Sequence, residues 1–204
     1  MPDRITLTRI VLLFIASSLL WLGAAVVTSR AIVEILLPLL RWEISLLAPQ
    51  FAIHDLHLVR MGLEDSILAN VRTLNPHMFG QQLLPAGIPI ESSTLAGHLL
   101  QPLVLMLSLV TTACLLLRRH CVAMALISIP FGIVVVMLDV PLVLIGSLDG
   151  LMLSTAQSMH GAPSPWVAWM NFLNGGGRIA LGIGAALAII SLAQVKPSTD
   201  YPTL

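Results

Sequence analysis

Four long apolar stretches constrain this chain more than any other feature of its sequence. A helix needs roughly 20 largely apolar residues to cross the hydrocarbon core of a bilayer. Residues 10–27, 95–117, 121–145 and 179–195 each form a run of this kind. The sequence therefore predicts an all-α membrane bundle with about four transmembrane helices.

The composition agrees with a membrane protein and excludes a soluble enzyme with a large core of its own. Hydrophobic residues make up 57% of the 204 residues and charged residues only 10%, whereas soluble domains carry roughly 25% charged residues. The ten basic and ten acidic residues cancel, so nucleic acid is not an expected partner. The expected partner is the lipid bilayer.

The basic residues predict the orientation of the chain. Residues 118–120, Arg-Arg-His, form a short turn between the second and third stretches, and basic residues in short loops stay in the cytoplasm. Both termini, with Arg4, Arg9 and Lys196, are then cytoplasmic. A signal peptide is the rival interpretation of the first stretch. Against it, the apolar run exceeds the usual length of roughly 7–15 residues, and no clear cleavage site precedes Arg30.

These runs predict four parts along the chain. Residues 1–29 form an N-terminal transmembrane helix, and residues 30–94 form an extracytoplasmic segment that contains an amphipathic helix and a β-hairpin. Residues 95–195 form a three-helix membrane bundle with an outer interfacial loop at 147–177. Residues 196–204 are a cytoplasmic tail.

The extracytoplasmic segment begins with an amphipathic continuation of the first helix, predicted over residues 31–47. Its residues Pro38, Arg41 and Glu43 argue against a second crossing of the membrane. An apolar face on this helix would offer support to the segment that follows it.

A β-hairpin is predicted next, because residues 51–60 and 66–73 have strand-like composition and alternation around a turn. A lone hairpin is marginally stable in water, so we expect it to rest on the amphipathic helix or on a partner protein. Residues 75–93 are predicted to be extended. Residues 92–94, Ser-Ser-Thr, are predicted to cap the second transmembrane helix.

A short interfacial helix is predicted in the second outer loop. Ser164 followed by Pro165 is typical of a helix start. Trp166 and Trp169 recur at helical spacing, and indole rings favour the membrane interface, so these two residues are the predicted interfacial anchors. Residues 174–177, Asn-Gly-Gly-Gly, are predicted to end this helix.

Asp139 is the residue whose position most suggests chemistry, since it lies within an apolar run. A carboxylate inside a membrane is expensive and is a functional candidate by default. Antiparallel packing predicts an intramembrane polar cluster of Asp139, Arg178, Gln101 and His98. The cluster is either a structural clamp that orders the bundle or a proton relay or substrate site. The sequence leaves both open.

No catalytic residue, metal site or cofactor is predicted. Cys114 and Cys121 do not form a CxxC motif, and a buried cysteine commonly behaves as a small hydrophobe. His54 and His57 are three residues apart on a predicted strand, so they face opposite sides and do not chelate one metal.

Small residues four apart mark two possible packing faces on the fourth helix. One contains Ala180, Gly184 and Ala188, and the other Gly182 and Ala186. Small residues let helix backbones approach closely. Whether either face is internal or meets a partner remains open from the sequence.

The layout resembles the exosortase-associated small membrane proteins of bacterial envelope protein-sorting systems. The resemblance rests on four helices with a strand-bearing loop after the first, on residues 138–141, Leu-Asp-Val-Pro, and on residues 174–178, Asn-Gly-Gly-Gly-Arg. It implies an accessory protein beside the enzyme in the bacterial inner membrane. Exosortases use Cys, Arg and His for transpeptidation. That set does not map here, because Cys114 falls on the cytoplasmic side.

Two classes of function remain. The first is a non-catalytic accessory or assembly subunit that binds another membrane protein in the inner membrane. The alternative is a small transporter or membrane enzyme that uses the cluster around Asp139. A lone transporter is disfavoured, because the sequence shows no inverted repeat or paired broken helices.

Overall fold

The computed structural model of the protein describes residues 4–62, 64–74, 76–79, 82–155 and 164–194. The predicted tail at 196–204 lies outside these residues. The helices are α1 Arg4–Leu47, α2 Ala96–Leu117, α3 Cys121–Thr155, α4 Pro165–Phe172 and α5 Arg178–Gln194. The strands are β1 Phe51–Met61, β2 Glu64–Thr73, β3 His77–Phe79, β4 Gln82–Leu84 and β5 Pro89–Leu95.

Four helical segments in the described part are long and apolar enough to cross a membrane: Leu7–Leu47, Ala96–Leu117, Cys121–Leu153 and Pro165–Gln194. The fourth combines α4, a π-type turn at Leu173–Gly177 and α5. This arrangement indicates a multi-pass membrane protein and agrees with the predicted helical bundle.

Two of these helices are longer than a bilayer requires. The transmembrane helix and the amphipathic segment predicted at the N-terminus are one helix, α1, whose 44 residues span about 66 Å at the α-helical rise. The third helix does not end near Ile145 but continues to Thr155. It continues because Leu148 and Met152 extend the buried stripe of Leu144 at helical spacing.

The predicted β-hairpin is present, and it belongs to a three-stranded antiparallel sheet of order β1-β2-β5. Residues 92–94 do not cap α2, because they pair with β2 as part of β5, where Thr94 lies opposite Ile67. Leu95 occupies the cap position without a side-chain hydrogen bond. Thr73 shapes the return of the chain, because its hydroxyl donates to Pro85 O and accepts from Ile88 N, both at 3.1 Å.

The sheet packs on the ends of α1 and α3, which support it as expected. A buried cluster joins Leu40 and Ile44 of α1, Ile67 of β2 and Leu148 of α3. Ser92 of β5 also donates to Leu144 O of α3 at 3.5 Å. Because the core is shared, the sheet and these helix ends form one unit.

A second buried cluster lies between α2, α3 and α5, and includes Met106, Met124 and Ile189. Gly182 of α5 approaches α2 so closely that a Cβ atom there would lie 2.7 Å from Pro102 O. This close approach assigns the face containing Gly182 and Ala186 to the interior of the bundle.

The predicted short helix is present as α4, with Ser164 as its N-cap and Pro165 in its first turn. The Asn-Gly-Gly-Gly string does not end the helical segment. It forms the π-type turn that leads into α5, where Gly176 takes a φ of 110° that favours glycine. The fourth span is therefore a kinked helix, whose first part packs against α3.

Candidate functional site

A buried ion pair between α3 and α5 is the central polar feature of the bundle. Arg178 Nε lies 3.0 Å from each carboxylate oxygen of Asp139. Asp139 is 0% exposed and Arg178 is 4% exposed. In such surroundings each charge depends on the other for its stabilisation.

The π-type turn contributes the third member of this site. Asn174 Oδ1 accepts a hydrogen bond of 2.9 Å from Arg178 Nη1. The turn places Asn174 four residues before Arg178, so the amide holds a second nitrogen of the guanidinium that Asp139 binds through Nε. We call Asp139, Arg178 and Asn174 the Asp139 clamp.

A tryptophan of α4 reinforces the same region of α3. Trp169 Nε1 donates to Leu138 O at 2.8 Å. Pro141 lies within α3 and has no N–H to donate to Met137 O, one turn earlier. The indole pairs with the next carbonyl along the chain, Leu138 O, beside Asp139, and fixes α4 to α3.

Trp166, the other predicted interfacial anchor, packs against other elements of the protein. Trp166 packs against the buried cluster beneath the sheet. A Cβ atom at Gly146 of α3 would lie 2.5 Å from Trp166 O, so glycine is needed for α4 to approach this closely. Both tryptophans thus contribute to helix packing.

The structure does not bring all four predicted polar residues together. Gln101 is exposed on α2 and lies outside the clamp. His98 is half-buried and lines a cavity of about 360 Å³ that Asn174 also lines. His98 is therefore near the clamp, although no hydrogen bond joins it to Asp139 in the described part of the chain.

Hydroxyl groups contribute much of the polar lining of this cavity. They come from three elements and include Ser66, Thr94 and Ser147. The cavity lies between the sheet, the start of α2, the later part of α3 and the segment of α4 and the π-type turn, and it contains no carboxylate among its lining residues. It offers hydroxyl groups and the imidazole of His98 for hydrogen bonding.

Glu43 is a buried acidic residue whose burial the sequence analysis missed. It is 7% exposed on α1, and its Oε2 has no hydrogen-bond partner among the described residues. Its position three residues after Leu40 and one before Ile44 places it beside the buried stripe. That spacing is the signal that would have indicated its burial.

The cysteines and histidines do not assemble into a metal centre within the described residues. Cys114 is buried, and its Sγ lies 3.7 Å from Cys121 O and 3.8 Å from Met124 Sδ. It packs as a small side chain between α2 and α3. His54 and His57 lie on β1 as predicted; His54 is the residue at the register shift between Ile53 and Asp55, and His57 follows that shift.

Comparisons with family models, curated proteins and solved structures found no match to this chain.

Proposed function

We propose that this protein is a non-catalytic accessory or assembly subunit of a bacterial inner-membrane complex, of the kind that serves exosortase-type protein sorting. In this proposal both termini are cytoplasmic, and the sheet lies on the outer side of the membrane. The partner is another membrane protein, which the sheet and the adjoining end of α1 contact.

The observation that carries the proposal is an exposed patch where α1 meets β1. Trp42 and Leu74 are 55% and 53% exposed, and they border a cavity of about 630 Å³ that Pro38, Arg41 and Phe51 also line. We call these five residues the outer patch. Tryptophan and arginine are enriched among the residues that dominate binding energy.

The outer patch is held in place by a contact between α1 and β1, and a preformed surface favours recognition of a partner. Arg41 donates to Ile53 O at 3.3 Å, so the end of α1 is tied to the outer strand β1. Trp42 follows the predicted crossing at residues 10–27 by 15 residues, which is about 22 Å along the helix. In the proposed orientation its indole therefore faces water beyond the bilayer until a partner covers it.

The alternative, a small transporter or membrane enzyme that uses Asp139, receives less support from the geometry. The Asp139 carboxylate accepts from Arg178 and is 0% exposed. A substrate or proton acceptor would need access to that group. Arg178 Nη2 is buried without a hydrogen-bond partner among the described residues, but the Asp139 carboxylate itself is paired and inaccessible, which favours a structural role.

Purification of the tagged chain in mild detergent, from cells that also express its neighbouring genes, tests the proposal. We expect a stoichiometric membrane partner that carries the Cys, Arg and His set of a transpeptidase. Trp42→Ala should reduce recovery of the partner by more than tenfold, as for a residue at the centre of an interface. Met61→Ala is the matched control, because Met61 is 48% exposed at the other end of β1 and should retain the partner.

Two results would reject the accessory role. One is a monodisperse chain without a partner that shows an activity abolished by Asp139→Asn. The other is a partner that Trp42→Ala and Met61→Ala retain equally, which would place the contact elsewhere on the protein.

A further inference from the structure

A long apolar groove lies between α1, α2 and α3. It has a volume of about 790 Å³, and its lining includes Trp21, Leu36, Leu103, Leu115, Ala125 and Ile133. We call this feature the α1 groove. Helix α1 contacts α2 through Trp21, but only 6% of its most apolar window is buried, compared with 44% for α2, so most of the α1 surface is open.

The few polar groups in the α1 groove already have partners. Trp21 Nε1 donates to Thr111 Oγ1 at 2.9 Å, and Ser128 Oγ donates to Met124 O at 2.7 Å. The surface that remains for an occupant is therefore apolar. Along α3 the groove runs from Cys121 to Val136, about 22 Å at the helical rise.

The shape of the α1 groove suits a single acyl chain. The groove extends about 22 Å along α3 with a volume of about 790 Å³, and an acyl chain is a long, thin apolar occupant. A protein helix is the rival occupant, which the experiments below distinguish.

One end of the α1 groove carries positive charge. Leu115 and Cys121 line that end, and the turn Arg118–His120 joins their two helices. Arg118 is exposed there, where it can meet a phosphate group at the membrane surface. Guanidinium groups suit phosphate oxygens in geometry and in charge.

We propose that the α1 groove binds one anionic phospholipid, with an acyl chain between α1 and α3 and the phosphate at the Arg118–His120 turn. The bound lipid fills the space beside α1 and fixes the angle of that helix. This proposal concerns the isolated chain in a bilayer and does not depend on the accessory role.

Native mass spectrometry of the full chain tests this proposal. The protein is reconstituted in nanodiscs with equal amounts of phosphatidylglycerol and phosphatidylcholine, and the lipids it retains after release into detergent are counted. We expect one phosphatidylglycerol per chain, preferred at least fivefold, since each basic side chain near an anionic lipid contributes about fivefold. Arg118→Gln should lower the preference about fivefold. Arg30→Gln is the control, because Arg30 is exposed on α1 and is distant in sequence from the turn.

A variant that fills the groove provides a second test of lipid binding. Ala125→Phe places a ring in the groove and should abolish lipid retention. Val122→Phe adds the same ring on α3 at a position that is 75% exposed and outside the groove lining, and it should retain the lipid. Equal retention by Ala125→Phe and the wild type would overturn the proposal, as would equal retention of the two lipids.

A photoreactive lipid keeps the proposal testable if Ala125→Phe does not fold. Phosphatidylglycerol with a diazirine on its acyl chain should label Ile129 and Ile133 of the wild-type groove more strongly than Leu20 and Val27, which are at least as exposed. Even labelling of all four residues would show ordinary bilayer contact and reject a bound lipid. Exclusion of the probe by a co-purifying protein helix would assign the groove to that helix.

Discussion

Arg178 shares its Nε–H between the two oxygens of Asp139, each 3.0 Å away, while Asn174 holds its Nη1 at 2.9 Å. The Asp139 clamp thus joins the middle of α3 to the first residue of α5 through the π-type turn. Neither charge of the pair is open to solvent. The geometry favours a clamp that orders the two helices.

A double-mutant cycle should detect this pairing. Removing one partner of a buried ion pair typically costs roughly 3–5 kcal/mol, because the other charge is left buried and unpaired. Asp139→Asn and Arg178→Gln should each lower thermal stability in detergent strongly. The double variant should lose much less than the sum, because its second change removes a charge already left alone.

The exposed pair of Arg30 and Glu34 provides the control for that cycle. Their side chains are 71% and 52% exposed and lie 3.0 Å apart, and exposed pairs of this kind contribute little to stability because water and salt screen them. Arg30→Gln and Glu34→Gln should change stability little. Strict additivity in the cycle of Asp139 and Arg178 would show that the buried pair has no energetic coupling.

The sheet should not fold without the helices that support it. Its buried residue Ile67 packs in a cluster with Leu40 and Ile44 of α1 and Leu148 of α3, so a fragment of residues 48–95 lacks most of its core. We expect this fragment, expressed alone, to give poorly dispersed amide signals and no cooperative melt.

A longer fragment distinguishes missing support from other causes of disorder. Residues 31–95 add the C-terminal part of α1 and should show more amide dispersion in micelles than residues 48–95. Sharp, dispersed signals and a cooperative melt from the shorter fragment would contradict the shared core.

The helices and the hairpin could be predicted because their patterns are local. Apolar runs of about 20 residues identify membrane helices without knowledge of the partners, and the alternation in β2 identifies a strand. The continuation of α3 beyond Ile145 could not be placed in this way. Leu148 and Met152 continue the helical spacing of Leu144, but Ser147 and Asp149 interrupt the apolar run that marks a membrane crossing, and the contacts that bury these two residues come from distant elements.

The third strand was missed for a related reason. Residues 92–94 have the composition of a helix cap, but Thr73 turns the chain so that β5 returns to β2. Pairing with an existing strand supplies backbone hydrogen bonds, and this tertiary contact overrides the local preference. Only knowledge of the β2 edge would have predicted it.

Part of the polar cluster follows from the distance of each residue from the same end of the bundle. On that measure, antiparallel packing predicts that Asp139 and Arg178 meet, and the structure brings them together. Depth says nothing about rotation around a helix axis, which changes by about 100° per residue. Gln101 lies between the buried residues Leu100 and Pro102 and is itself exposed. Its angular position on α2 therefore turns its side chain away from the site.

Reporter fusions should establish the orientation. The turn at Arg118–His120 connects α2 and α3 at one end of the bundle, while the β1–β2 turn at Gly62 belongs to the sheet at the other end. Because basic short loops stay in the cytoplasm, a reporter after Leu117 should read cytoplasmic and one at Gly62 should read external. Reversed signals would invert the proposed topology.

The two small-residue faces of α5 should respond differently to alanine. A Cβ atom at Gly182 would lie 2.7 Å from Pro102 O and 3.3 Å from Leu105 Cβ, so α5 must move away from α2. Overpacking of this kind typically costs about 1–3 kcal/mol. Gly182→Ala should therefore lower the melting temperature in detergent.

Gly184 on the same helix is the matched control, since a Cβ atom there would meet nothing within 4 Å. Gly184→Ala should leave stability unchanged or raise it by up to about 1 kcal/mol, because alanine favours the helix over glycine. Recovery of the partner gives a second readout for this variant. If Gly184→Ala preserves stability, as expected, but weakens recovery of the partner, the face with Ala180 and Ala188 contributes to the interface. Equal destabilisation by both variants would contradict the assignment of the Gly182 face to the interior. It would show that the effect of alanine on the α5 backbone outweighs the contact between Gly182 and α2.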